Sequence, residues 1–137
     1  MKIDGQTLDD IIETFDMMDD WEDRYRLIID LGRALPDLPE ADHNDVNKVR
    51  GCTSQVWLVA KEDGDVITLN GDSDAHIVKG LVAVLLLIFS GKTRQEILST
   101  DAKAILGQLG LADHLSPMRT NGLFSMVTRI GDLAKAG

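Results

Sequence analysis

The sequence is poor in cysteine, proline and aromatic residues: one Cys, three Pro and only 4% Phe, Trp and Tyr in 137 residues. A lone cysteine excludes an internal disulfide framework and suits a reducing compartment. It also cannot hold an iron–sulfur cluster alone, since clusters take about four ligands, mostly thiolates. Basic residues are scarce as well, with 14 Lys and Arg against 23 Asp and Glu, a net charge of −9. Without a basic stripe or stacking platforms, nucleic-acid binding is excluded as a leading expectation. Long apolar runs are missing too. The longest, Leu81 to Phe89, is nine residues, about half of what a membrane-spanning helix needs. Met1 to Gln6 enters an acidic segment with no apolar core of signal-peptide length, so a cytoplasmic protein is expected. No linker, low-complexity tract or internal repeat divides the chain, and residues 1–137 are expected to form one domain.

What charge there is lies unevenly. Residues 1–45 hold 14 acids and 4 bases, whereas residues 46–137 hold 9 and 10. Solvated helix faces account for the acidic end, and a docking surface for a basic partner patch is the alternative. Thr7 with Asp10 forms a capping box ahead of Leu8, Ile11, Ile12 and Phe15 at helical spacing. A second helix starts at Asp19 or Asp20, buries Trp21, Tyr25, Ile28 and Leu31, and stops at Pro36. The stretch from Leu35 to Asn47 reads as a loop. Gln55 to Lys61 and Val66 to Leu69, with a turn at Asp63-Gly64, read as a β-hairpin, and Asn47 to Arg50 offers a third strand.

The remainder is helical in pattern. Ser73 or Asp74 caps a buried helix from Ala75 to Phe89, Thr93 and Glu96 form a capping box, and Gly110 closes a helix near Ala102 to Leu109. Ser116 followed by Pro117 opens a last helix with Leu123, Met126, Val127, Ile130 and Leu133 on one face. The expected class is α+β: a small antiparallel sheet of two or three strands packed with helices.

Several candidate motifs fail on context. Gly91-Lys92-Thr93 resembles the end of a phosphate-binding loop, but Leu86 stands where the first glycine belongs and a helix precedes it in place of a strand. Asp72-Ser73-Asp74 lacks a further ligand at metal spacing and is explained by helix capping. His43, His76 and His114 are scattered without zinc-site spacing. A Cys–His protease would need one of them beside Cys52 together with an orienting third residue. No metal and no cofactor is expected.

A lone cysteine is by default a small buried hydrophobe, yet Lys48-Val49-Arg50-Gly51-Cys52-Thr53-Ser54 places Cys52 in a loop just before a strand, with two cations nearby. Lys48 and Arg50 are expected to lower its pKa, and Gly51 to leave it accessible. The lack of a second thiol also matters. A resolving cysteine would attack a persulfide and discard its sulfur, so a solitary thiol keeps its cargo.

Three blocks then stand out: Gly51-Cys52-Thr53-Ser54-Gln55-Val56-Trp57; Gly71-Asp72-Ser73-Asp74-Ala75 with Val78-Lys79-Gly80-Leu81; and Leu115-Ser116-Pro117-Met118-Arg119-Thr120-Asn121-Gly122-Leu123. In this order they resemble the SufE family, from about Asp20 to the C-terminal helix. The resemblance implies an α+β fold like that of iron–sulfur scaffold proteins and a sulfur-accepting cysteine at a loop tip, which falls on Cys52. It implies a pyridoxal-phosphate cysteine desulfurase as sulfur donor, which the chain stimulates, and the iron–sulfur assembly scaffold as recipient, with the chain acting as a sulfur-transfer partner and not a stand-alone enzyme. Gly51, Asp74 and Arg119 fall near the loop as candidates for partner contact or for shaping the cysteine pocket. Thr53 stands where relatives often have glutamine. Two rival readings are an interaction module working through the acidic helices, with Cys52 incidental, and a thiol hydrolase or peroxidase.

Overall fold

The computed structural model describes residues 1–135. The helices are α1 (Leu8–Met17), α2 (Trp21–Arg33), α3 (His76–Phe89), α4 (Arg94–Ser99), α5 (Ala102–Gln108), α6 (Leu111–His114) and α7 (Pro117–Lys135), and the strands are β1 (Val56–Asp63), β2 (Val66–Ser73) and β3 (Lys92–Thr93). This is the expected α+β class.

The core is organised around α3. After a first turn that carries His76 and Lys79 it is apolar on every side, with the whole run from Gly80 to Phe89 buried, as a helix must be when neighbours cover it all round. One side carries the sheet, in the order β1-β2-β3. Val56 pairs with Ser73 and Leu58 with Gly71, so Val56, Leu58, Ile67 and Leu69 share the buried face. Another side carries α2, at unusually close range. A Cβ on Gly32 would stand 2.6 Å from the Gly80 nitrogen, and one on Gly80 would meet the Ile28 carbonyl. Two glycines facing each other are what let these backbones touch. Ser90, buried at the end of α3, bonds through its hydroxyl to the Leu69 amide and carbonyl at 2.9 and 3.3 Å, which fixes the helix end to β2.

Local signals mark most helix starts. Thr7 and Asp10 form a reciprocal capping box, as do Thr93 and Glu96, and Asp20 accepts from the Glu22 amide. The last carbonyls of α1 are met by Arg24, which donates to Phe15 and Met18 at 2.8 and 2.6 Å, a cation where the helix dipole favours one.

Two expectations need correction. The third strand is β3, two residues paired with Val66 and Ile67, while Lys48 makes only one bridge, to Trp57, on the opposite edge. The chain bends away at Arg50 before a ladder can extend. Nor does Ser73 or Asp74 cap α3: the N-cap is Ala75, with no side-chain bond to the helix. Ser73 bonds to the Ala75 amide, ahead of the helix, and Asp74 is committed elsewhere. Among the described residues no helix is long and apolar enough to cross a membrane.

Candidate functional site

The site is a turn laid against α7. Upstream of it, the Val49 amide donates to Val56 and the Leu58 amide to Asn47, at 2.8 and 2.9 Å. The chain thus doubles back on β1, and Arg50 to Gln55 form the tip. At its far end Gln55 is clamped twice: its amide donates to the Asp74 carboxylate at 3.0 Å, and its carbonyl accepts from the Asp74 amide at 3.3 Å. This is the role Asp74 takes in place of capping.

Two glycines bring the tip down onto the helix. Gly51 has φ +89°, a conformation that costs any residue with a Cβ, and a Cβ there would lie 2.5 Å from the Ser125 hydroxyl. Gly122 faces the cysteine itself. Cys52 Sγ donates to the Gly122 carbonyl at 3.5 Å, and a Cβ on Gly122 would stand 3.5 Å from that sulfur. The half-buried thiol shares a cavity with Val78, Leu81, Met118, Arg119, Gly122 and Met126. About 10 Å³ of it is unfilled, close to the minimum that admits one water-sized atom.

All four residues singled out from the sequence, Gly51, Cys52, Asp74 and Arg119, therefore meet at this turn. Arg119 is exposed on the cavity rim, with its amide bonded to Ser116 and its guanidinium in no ion pair among the described residues. The expected acidification of the thiol is not found. Burial pushes the Cys52 thiol above its ordinary value, because desolvation penalises the thiolate and neither cation offsets it. Arg50 lines a different groove, with Asn121 and Ser125, and Lys48 sits back at the bridge to Trp57. No histidine lines the cavity, so a Cys–His pair is absent there. Among the described residues no cluster of His, Cys, Asp or Glu is arranged to hold a metal.

Gly122, which the sequence offered only as part of the third block, lies along one side of α7 with Ser125 and Arg129, which sequence reasoning missed. Arg129 donates to the Val46 carbonyl at 2.6 Å. A glycine inside a helix costs about 1 kcal/mol relative to alanine, so Gly122 carried a signal of close approach. The identity of the approaching group did not show in the sequence. It also passed over the support behind the turn. His43 Nε2 lies 2.7 Å from Asp72, which meets Lys79 at 3.4 Å, and the His43 ring stands edge-on to Trp57. This ties the segment before the turn to β2.

Residues 9–134 match the Fe-S metabolism associated domain, SufE. The chain belongs to the SufE family. A SufE-like protein of Rhizobium meliloti is 54% identical over 128 residues, covering 90% of this chain and 91% of its own. One of Rhizobium etli is 53% identical over 133 residues, covering 94% and 90%. A hypothetical protein from Thermus thermophilus, solved in solution, superposes with a TM-score of 0.76 over 94% of this chain and 93% of its own at 20% identity, a likeness of fold. SufE membership gives the chain a role in Fe–S metabolism.

Proposed function

We propose that this SufE protein is a sulfur carrier: Cys52 accepts sulfur from a cysteine desulfurase, stimulates that enzyme by clearing its persulfide, and passes the sulfur to the iron–sulfur assembly scaffold. The observation that carries the reading is the lone thiol tucked under a glycine-tipped turn, beside a cavity with room for about one atom.

Transfer is a thiol exchange. The Cys52 thiolate attacks the outer sulfur of a persulfide on the donor's cysteine. A new S–S bond forms at Cys52, the donor's S–S bond breaks, and the donor leaves as its thiolate with the electron pair. The Cys52 proton goes to solvent or to a donor base, and no outside oxidant or reductant is consumed. The donor's pyridoxal phosphate supplies the chemistry that creates the persulfide, and the carrier needs no cofactor of its own.

Burial explains both halves of the cycle. A thiol with a raised pKa is almost wholly protonated at neutral pH and a poor nucleophile, so the docked turn is the resting state. Accepting sulfur requires the turn to lift off α7, into water and within reach of the donor. Once reseated, the persulfide sits against Val78, Leu81 and Met126, away from cellular thiols, and no second cysteine exists to strip it. On this reading Asp74 and Gly51 set how firmly the turn is held, and Arg119, exposed at the rim, meets the donor. A cytoplasmic location, where thiols stay reduced, suits this chemistry.

Cys52→Ser tests the proposal. With a dithiol reductant present to release bound persulfide sulfur as sulfide, sulfide production from cysteine by a pyridoxal-phosphate desulfurase is expected to rise severalfold with the natural chain and to stay at the basal rate with the serine variant. Equal stimulation by both would show an interaction module acting through its acidic helices, with the thiol incidental.

A further inference from the structure

A groove of about 530 Å³ runs beside the Cys52 turn, lined by Val49, Arg50, Asn121, Ser125, Arg129 and Asp132 among others. Its wall is shared with the sulfur site, since Ser125 is the residue on which Gly51 rests. Two features set it apart from the rest of an acidic surface. First, it holds two guanidinium groups, neither of which has a carboxylate within ion-pair distance among the described residues, although Asp132 lies in the same groove. Arg129 gives one nitrogen to the Val46 carbonyl at 2.6 Å and leaves its Nε buried without a partner. Arg50 is exposed and free of any hydrogen bond among the described residues. Second, Val46, whose carbonyl Arg129 holds, is 78% exposed, an apolar residue left in water where nothing in the fold requires one.

Unpaired arginines beside an exposed aliphatic side chain are the composition of a protein contact surface. The same groove offers the apolar side chains of Val49 and Phe124 next to the polar ones of Asn121, Ser125 and Thr128, a mixture that suits a polypeptide more than a small anion. We propose that this groove seats an acidic segment of the sulfur donor, its carboxylates taken by Arg50 and Arg129 and its apolar neighbour resting on Val46. The inference rests on the carrier reading and names the contact that steers the donor to the turn.

The test uses the full chain and a purified pyridoxal-phosphate cysteine desulfurase from the same organism. Arg50→Glu changes an exposed side chain that makes no bond in the fold. It is expected to weaken desulfurase binding about tenfold by calorimetry and to raise the KM for carrier in sulfide release by a similar factor, with kcat kept. Arg50→Lys retains most of the affinity, and added salt narrows the gap between the natural and Glu chains. Arg129→Lys, checked by thermal melting for an intact fold, shows a smaller loss in the same direction. An affinity and KM for Arg50→Glu within about twofold of natural, while Cys52 still becomes loaded, would overturn the groove and leave the carrier reading standing. The groove is equally overturned if Arg50→Glu abolishes self-association in sedimentation without touching desulfurase affinity, since a second copy is then the occupant. A natural chain that never gains sulfur takes both down.

Discussion

Gly122→Ala separates what the helix wants from what the sulfur site wants. In α7 the added methyl lies 3.5 Å from Cys52 Sγ, 3.7 Å from its Cα and 3.8 Å from its Cβ, ordinary contacts that require no movement in the unloaded protein. Replacing glycine by alanine inside a helix gains roughly 0.5–1 kcal/mol, so the variant should melt about 2–4 °C higher. On the proposed carrier reading, the loaded protein should respond the opposite way. The cavity beside the thiol offers about 10 Å³, and the methyl fills the space an extra sulfur would take. Overpacking by a group of that size costs about 1–3 kcal/mol, so the docked-to-undocked equilibrium of the persulfide form should shift away from docking by a factor of about 5 to 150. Circular-dichroism melting reads the first effect. The second is read by loading the chain, adding glutathione and following the decay of the sulfur-bearing mass, which should be markedly faster for the variant. A variant that melts lower, or one that keeps its persulfide as long as the natural chain, refutes the assignment of this cavity to the cargo.

Three other outcomes follow from the same geometry. Gly80→Ala drives a methyl into the Ile28 carbonyl where α2 and α3 touch, and should cost about 3 kcal/mol, seen as a lower urea midpoint with an unchanged slope. Asp74→Ala removes the acceptor of the Gln55 amide, worth about 1 kcal/mol; hydrogen exchange at Gln55 and alkylation of Cys52 should both speed up, and unchanged rates would mean the clamp does not hold the turn. The His43–Asp72 pair has a defined pH window. The hydrogen bond it donates to the Asp72 carboxylate lifts His43 above its ordinary 6.5, so its contribution is complete below that value and is lost as pH rises through the raised one. Burial works against the Asp72 charge, but bonds from His43, the Ser73 amide and Lys79 outweigh it and hold the carboxyl below its usual 3.8, so that contribution is lost only in strong acid. His43→Ala should therefore destabilise the chain more at pH 6 than at pH 9 in urea titrations, and an equal loss at both would contradict the pairing.

The parts of the fold legible in the sequence are those whose cause is local. Thr7 with Asp10, Thr93 with Glu96 and Ser116 with Arg119 each act over three residues, and α1, α4 and α7 begin where those pairs place them. The run from Gly80 to Phe89 declares a central helix by being apolar throughout. Asp74 shows the limit. Its position invites a cap, but its partner is the Gln55 amide, 19 residues away, and only the finished sheet brings the two together. The thiol shows the same limit in electrostatic form: Lys48 and Arg50 are neighbours of Cys52 along the chain, yet folding turns the sulfur toward Gly122, 70 residues distant, and burial then governs its pKa. Cys52 and Gly51 were legible in their own loop, Asp74 and Arg119 through family resemblance, and the stripe of α7 beneath them was not.

Intact-mass spectrometry tests the sulfur-carrier reading most directly. The natural chain, mixed with a cysteine desulfurase, cysteine and pyridoxal phosphate, should become heavier by a single sulfur atom, mapped by peptide digestion to Cys52 and removed by a dithiol reductant. A chain that gains no sulfur while the desulfurase is turning over, or one that carries it at a residue other than Cys52, would contradict the account.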